Sequence, residues 1–437
     1  MSFSQALSGI RSQGENIRVI SDNIANSQTV GFKGSRTAFA DIFAGCVGCG
    51  GQAGLGVRVV DIMQDFSDGA LENTGRSLDL AIAGQGFYRL EKTNGEIVYS
   101  RNGQFNQDAE GYLVNANGQR LTGYGLQDPE DPFSDVGGPL QAIQISREDM
   151  PPNATTGVEA IFNLNSSIVA GADLETATVA TDYDPANPNP QDINFDFSTN
   201  FTVFDSLGNE RTITIYYRKD AANEWQADIA FDGVIEGFGG GDAGTGTNNF
   251  TVDFDTNGAL DEVDGTAGNT VTTVTITDAG PDFFALDGAT TPFEFDLDLA
   301  GTTQFNAESA QNSLTQDGFT TGSLIGIEVE DDGTVTRVFS NEERAAAGQI
   351  ALANFINPEG LSRDGDNAWR EARASGQPNI GVAGTGLFGT IEGQTLEGSN
   401  VDLATELVNM IISQRAYQAN STSISTQDEL LQTIINL

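Results

Sequence analysis

Two stripes of apolar residues at heptad spacing, one at each end of the chain, constrain this sequence more than any other feature. Near the start Phe3, Ile10, Ile17 and Ile24 recur every seven residues, with Ala6, Leu7 and Ile20 on the same face and Arg11, Glu15, Arg18 and Asp22 elsewhere. That spacing predicts an amphipathic helix. Near the end Leu403, Met410, Tyr417, Ile424 and Leu431 repeat at the same interval, joined by Leu407, Ile411, Leu430 and Ile434, and Ser399 or Asn400 offers an N-cap. This second helix carries a coiled-coil seam. Single helices of this kind are marginal in water until something covers the apolar face. More than 350 residues of other character separate the two, so the simplest cover is each other, and then further copies of the same chain. Gln414, Ser421 and Asp428 on the seam would weaken an isolated pair.

Between the ends the pattern is β. Alternating runs such as Phe201, Val203 and Phe204, TITIYY at 212–217 and VTTVTI at 271–276 are divided by turn signals, among them NANG at 115–118, SLGN at 206–209, DTNG at 255–258 and EDDG at 330–333. Twelve prolines and 52 glycines suit many hairpins. The chain has 437 residues, enough for two or three domains with substantial cores. The expected fold class is therefore mainly β middle domains, barrel-like or sandwich-like, with an α-helical coiled-coil domain formed by the N- and C-terminal segments. Lys and Arg number 20 against 62 Asp and Glu, a formal charge of −42. So acidic a chain is a poor partner for nucleic acid or an anionic membrane. Between Arg147 and Arg337 the only basic residues are Arg211, Arg218 and Lys219, which marks the middle as a separate, solvent-exposed β region. The first twenty residues lack the pattern of a cleaved secretory signal and no stretch is long enough to span a bilayer, so the sequence reads as cytosolic or as exported by another route, without membrane insertion.

Chemistry is sparse. With no histidine, the common proton shuttle and most triad and metal-ligand arrangements are gone, and no G-x-S-x-G, P-loop or H-E-x-x-H occurs. The carboxylate pairs Asp331/Asp332 and Glu342/Glu343 read as solvated turns. Cys46 and Cys49 form a lone C-x-x-C among glycines, two ligands short of a structural zinc site, and read as a loop with incidental thiols or as a local disulfide. DFDTNGALDEVD, from Asp253 to Asp264, has the spacing of an EF-hand calcium loop. Its flanks, however, read as strands, and its twelfth position is Asp264 rather than glutamate, so a hairpin turning at DTNG accounts for the same letters. The expectation is a non-enzyme with no cofactor and no metal.

Longer motifs add a resemblance. SDNIANSQTVGFKGSRTAF at 21–39 and LEGSNVDLATELVNMIISQRAYQANSTSISTQDELLQTIINL at 396–437 resemble the terminal signatures of the bacterial flagellar rod and hook family of axial proteins. TGRSLDLAIAGQGFYRL at 74–90 is shared across that family. VFDSLGNERTITIYYRK at 203–219, SLTQDGFTTGSLIGIEVEDDGTV at 313–335 and GQIALANFINPEGLSRDGDNAWREARASGQP at 348–378 resemble its hook members. Residues 225–312 carry no recognisable pattern, Thr422 stands where the family more often has lysine, and the Cys46 to Cys49 loop has no counterpart.

The resemblance implies a subunit that polymerises with copies of itself into a curved, flexible tube, the terminal helices lining its core, to carry torque from rod to filament. It implies export without a cleaved signal through the flagellar type III apparatus to the cell exterior, and rod, hook-cap and hook-filament junction proteins as further partners. The expected domains are 1–72 plus 395–437 for helical assembly, 73–145 plus 323–394 as an inner β domain, and 146–322 as an outer β region, with a possible division near 225–312. Phe3, Leu7, Ile10, Ile17, Ile20, Ile24, Leu403, Leu407, Met410, Ile411, Tyr417, Ile424 and Leu431 are the expected assembly residues, and Gly31, Phe32 and Lys33 the turn into the connecting loop. The rival readings are a distal rod-type axial protein and, from another class, a secreted acidic calcium-binding adhesin. Length and the DSLGN stretch weigh against the first; tight calcium binding would mark the second.

Overall fold

The computed structural model describes residues 3–42, 54–128, 133–180, 190–235, 249–276, 288–290 and 292–435. Cys46 and Cys49 lie outside them. The architecture is mainly β with one long helix at each end, as the periodicities require: α1 spans Phe3–Ala25 and α2 spans Leu403–Ile435. After α1 the chain forms an antiparallel pair, β1 (Ser35–Asp41) and β2 (Val57–Gln64).

The chain divides into two compact units. The first takes Met1–Arg147, Ile325–Val338 and Arg344–Leu437. At the centre of its largest sheet, strand Arg344–Asn354 pairs with both Arg120–Leu126 and Phe87–Glu91, and the order continues through Ile97–Ser100 to the hairpin of Ala368–Arg370 with Ser362–Gly365. Leu80, Tyr88, Phe105, Leu121, Ile350 and Leu352 fill the main core. A smaller core on Phe87, Tyr99, Phe355 and Trp369 is built from edge-to-face ring contacts 4.8–5.9 Å between centroids.

The second unit takes Glu148–Leu324 and Phe339–Glu343. A six-stranded antiparallel sheet runs in sequence order from Phe197–Phe204 through Glu210–Ala221 and Glu224–Phe231 to Thr266–Ala267. A five-stranded sheet is built around Gly157–Asn165, which pairs in parallel with Phe293–Asp298 and Thr303–Phe305. Both contribute to one core around Phe162, Tyr217, Trp225, Phe231 and Phe295. Strand Glu210–Ala221 shows the two-residue period directly, with Ile213, Ile215, Tyr217 and Lys219 buried in alternation. Lys219 reaches the Ser166 carbonyl at 2.7 Å and lies over the Trp225 ring, so this inward cation has partners.

One device closes three of the sequence-signalled turns. Asn115, Asp205 and Asp255 each accept, on a side-chain oxygen, the backbone N–H two and four residues ahead at 2.7–3.0 Å. The residue three ahead must then take a positive φ, and at Gly208 this is +80°. The calcium-like stretch is one of these hairpins. Asn249–Phe254 pairs with Leu260–Val263, Asp255 serves the turn, and Asp264 accepts from the Thr251 N–H and the Thr272 hydroxyl.

Burial alone would raise the Asp205 carboxyl, but hydrogen bonds from Asn209 and Leu207 and the Arg211 charge outweigh it and hold it below the usual aspartate range. Its stabilising contribution is therefore full above about pH 4 and lost as pH falls through the lowered native value. Asp205→Ala should destabilise the second unit by about 2 kcal/mol at neutral pH, and Asp205→Asn should flatten the acid limb of its stability curve. Urea titrations followed by Trp225 emission in a Trp369→Phe chain measure both.

Candidate functional site

The structure brings the two ends of the chain together, and the contact differs from the one the apolar letters suggest. α1 and α2 pack side by side through small and polar residues. Gly9 faces Asn420 so closely that a Cβ on it would lie 2.8 Å from the Asn420 amide. Seven residues on, Asn16 Nδ2 donates to Ser413 Oγ at 2.8 Å, and after another seven Asn23 lies beside Glu406. Each step of seven along α1 is matched by a step of seven backward along α2, so the helices run antiparallel in heptad register. Burial raises the Glu406 carboxyl, and the neighbouring Asn23 amide partly offsets this. Ser12, Asn23 and Ser413 are buried. A rung made of hydrogen bonds and a glycine fixes alignment more sharply than leucines would, because a slip leaves buried polar groups unpaired.

The apolar residues of α2 accordingly point away from α1. Leu403, Leu407, Ile411, Tyr417 and Leu431 are exposed, as are Val408, Ile412 and Leu430, while Met410 and Ile424 are half-buried. Gln414, Ser421 and Asp428 are exposed too. On α1, Ile20 is buried, Leu7, Ile10, Ile17 and Ile24 are half-buried, and Phe3 at the tip is 55% exposed. The expectation that the two stripes cover each other is corrected on this point: the long stripe of α2 has no cover among the described residues. The N-cap is corrected as well. Asp402 caps α2, its Oδ1 accepting the Thr405 N–H at 2.6 Å, because both proposed residues are engaged elsewhere. Ser399 Oγ accepts from Val401 N–H, and Asn400 bridges the Gly34 N–H and the Asp65 carbonyl. Thr422 returns its hydroxyl to the Gln418 carbonyl.

Gly31, Phe32 and Lys33 form the anchor of this helical pair. Gly31 has φ +66°, its N–H donates to the Glu397 carbonyl at 2.8 Å, and a Cβ there would lie 2.6 Å from the Arg101 carbonyl carbon. Phe32 is buried. Lys33 is fully buried, with Nζ 2.6 Å from Glu397 Oε1 and 2.7 Å from the Ser67 carbonyl oxygen. Burial pulls its ammonium below the usual lysine range, and the Glu397 charge acts against that shift. Arg101 reaches Glu397 Oε2 at 3.3 Å and the Gly84 carbonyl at 2.7 Å, and the Gly69 N–H donates to Oε1. One carboxylate thus joins the exit of α1, the strand that leads into α2, and the β-sheet.

Sequence reasoning missed Gly9, Asn16, Asn23, Glu406, Ser413 and Asn420, and missed the pairing of Lys33 with Glu397. The first six carry a legible signal, the same seven-residue spacing as the apolar stripes.

Glu397→Ala removes the carboxylate that two buried cations share, leaving Lys33 the Ser67 carbonyl and Arg101 the Gly84 carbonyl and Asp68, and thermal unfolding of the full chain should show the first unit destabilised by about 3–5 kcal/mol. Gly9→Leu should reduce the helical circular dichroism signal although leucine is the better helix former, since the side chain must push α1 and α2 apart.

Comparison with known proteins points one way. Family profiles match at residues 81–159 (flagellar hook protein FlgE/F/G D1 domain), 163–319 (flagellar basal body protein FlaE D2 domain) and 392–437 (flagellar basal body rod FlgEFG protein C-terminal). The flagellar hook protein FlgE of Escherichia coli strain K12 is 41% identical over 442 residues, covering all of both chains. That of Treponema pallidum strain Nichols is 32% identical, covering all of this chain and 99% of its own length. A solved flagellar hook protein, FlgE2 of Helicobacter pylori, shares the fold at a TM-score of 0.52 and 14% identity, over 75% of this chain and all of its own. End-to-end identity with hook proteins, on a mainly β fold that returns both termini to one helical pair, leaves one assignment: the chain belongs to the flagellar hook protein family.

Proposed function

We propose that this chain is a structural subunit of a bacterial flagellar hook and polymerises with copies of itself into a curved, flexible tube that carries torque from rod to filament. The observation that carries the reading is the uncovered stripe of α2. Leu403, Leu407, Ile411, Tyr417 and Leu431 recur on a helix whose other face is already occupied by α1. An apolar strip of that length is a cost in a lone molecule and an interface in a polymer. Phe3, Leu7, Ile10, Ile17, Ile20, Ile24, Met410 and Ile424 complete the assembly set, and Gly31, Phe32 and Lys33 hold it to the sheet. A head-to-tail contact made this way is heterologous and generates an open filament.

The division of labour follows. Residues 1–72 with 395–437 form the assembly domain, 73–145 with 323–394 an inner β domain, and 146–322 an outer one whose acidic, polar faces let neighbouring subunits slide. The partners of such a subunit are rod, hook-cap and hook-filament junction proteins and the flagellar export apparatus that delivers it to the cell exterior without a cleaved signal. Its role is mechanical, with no catalysis.

Leu407→Asp should abolish tube formation by purified chain under the electron microscope while leaving the β circular dichroism intact; tubes of normal appearance would refute the helical assembly model. Deletion of 400–437 should likewise give a monomer that does not polymerise.

A further inference from the structure

Strands Arg344–Asn354 and Asn379–Val382 are antiparallel neighbours, with Asn354 directly opposite Asn379. A tight turn would join them, yet residues 355–378 intervene. This excursion forms the hairpin Ser362–Gly365 with Ala368–Arg370, and it lies across the point where α1 ends. Its turn residues Asp366 and Asn367 both have φ +54°, the paired left-handed conformation of a tight two-residue hairpin. That geometry aims Asn367 at the helix exit, where Nδ2 donates to the Val30 carbonyl at 3.1 Å. The Asn367 carbonyl accepts from Ser100 Oγ at 2.8 Å. Arg363 hydrogen-bonds Ser35 Oγ and sits 3.8 Å from Asp22. Trp369 Nε1 donates to Gln64 Oε1 at 2.7 Å, and its ring meets Phe66 and Phe87 edge-on. On the other side Asp364 pairs with Lys92 and Arg370, and Arg370 with Glu96 at 2.7 Å. The hairpin is therefore tied to the sheet by close ion pairs and to the α1, β1 and β2 segment by single hydrogen bonds and one long ion pair, Arg363 with Asp22. A cavity of about 180 Å³ lies beneath it, lined by Asp22, Asn26, Phe32, Arg363 and Trp369 among others.

We propose that the hairpin Ser362–Arg370 is a strap that holds the exit of α1 against the sheet, with Asn367 and Trp369 as its positioning residues, and that its grip sets how stiffly the helical pair is carried. The asymmetry of its bonds is the reason. Close, shared ion pairs fix one edge, whereas the edge toward α1 hangs on single hydrogen bonds and one long, half-exposed ion pair, Arg363 with Asp22 at 3.8 Å, each of which can break and remake at low cost, over a space that gives the exit room to move. In a tube whose subunits must shift as it bends, this is the yielding joint within each subunit. That mechanical consequence rests on the hook-subunit reading; the strap itself does not.

The test uses the full chain carrying Trp225→Phe, so that Trp369 is the sole tryptophan. Asn367→Gly keeps a residue suited to positive φ and removes only the bond to Val30. Hydrogen exchange across 22–36 should then be about tenfold faster, Trp369 emission should shift to the red, and exchange in 157–165 should not change. Asp366→Gly, whose side chain makes no bond to Val30, should leave both readouts as they were. Unchanged exchange at 22–36 in Asn367→Gly would overturn the strap, as would an equal effect from Asp366→Gly. Tubes of the Asn367→Gly chain should bend over shorter lengths in electron micrographs; unchanged bending beside faster exchange would overturn the mechanical role alone. Failure of the unaltered chain to form tubes would instead count against the hook-subunit reading and leave the exchange result standing.

Discussion

Lys33 carries a charge in a place with no access to water, and the helical pair depends on how that charge is met. Taking an ammonium group out of solvent costs several kcal/mol unless a counter-ion and hydrogen bonds replace the lost hydration. Glu397 and the Ser67 carbonyl do so for Lys33, while Arg101 and the Gly69 N–H bond the same carboxylate. Because Lys33 precedes β1 and Glu397 ends the last strand before α2, the cluster can exist only when both ends of the chain have reached the same corner of the sheet. It acts as a proof of correct closure more than as a source of net stability, since apolar residues of equal volume would hold as well.

From that corner the two helices leave in opposite chain directions and meet through a polar face. Interior pairing by amides, hydroxyls and one glycine leaves α2 with its leucines and isoleucines uncommitted. An apolar intramolecular seam would have consumed them. Polarity inside and greasiness outside is the reverse of an ordinary helical hairpin, and it makes sense for a segment whose largest contacts are made with other molecules of its kind.

Much of the fold was legible. Helices stand where the heptads put them, VTTVTI is the strand Val271–Ile276, TITIYY lies within Glu210–Ala221, and the Asn and Asp turn signals work because their side chains bond the backbone just ahead. These features are local, fixed by periods of two or seven residues and by the chemistry of one turn. What escaped is of two kinds. The helix face that pairs inside the chain repeats at the same interval as the apolar one, and scanning for hydrophobic letters passes over Asn16, Asn23, Ser413 and Asn420 because such residues usually signal solvent. The other kind is long-range. Nothing near Lys33 names Glu397 as its partner, and nothing in the run Gly157–Asn165 announces parallel pairing with strands more than a hundred residues later. The N-cap fell between the two: of the two candidates the sequence offered, Ser399 bonds the backbone two residues ahead and Asn400 is engaged by distant groups, so the cap passes to Asp402.

The meeting of both ends in one unit has a temporal side. Leu71–Asn73 pairs with Thr395–Glu397, and Leu80–Ala83 with Thr390–Gly393, so these two pairings wait until all but about the last forty residues have been made. The second unit draws almost all its strands from one continuous stretch and has no such wait. Closing the first unit therefore joins residues more than three hundred positions apart, and the entropic cost of such a closure grows only logarithmically with the span.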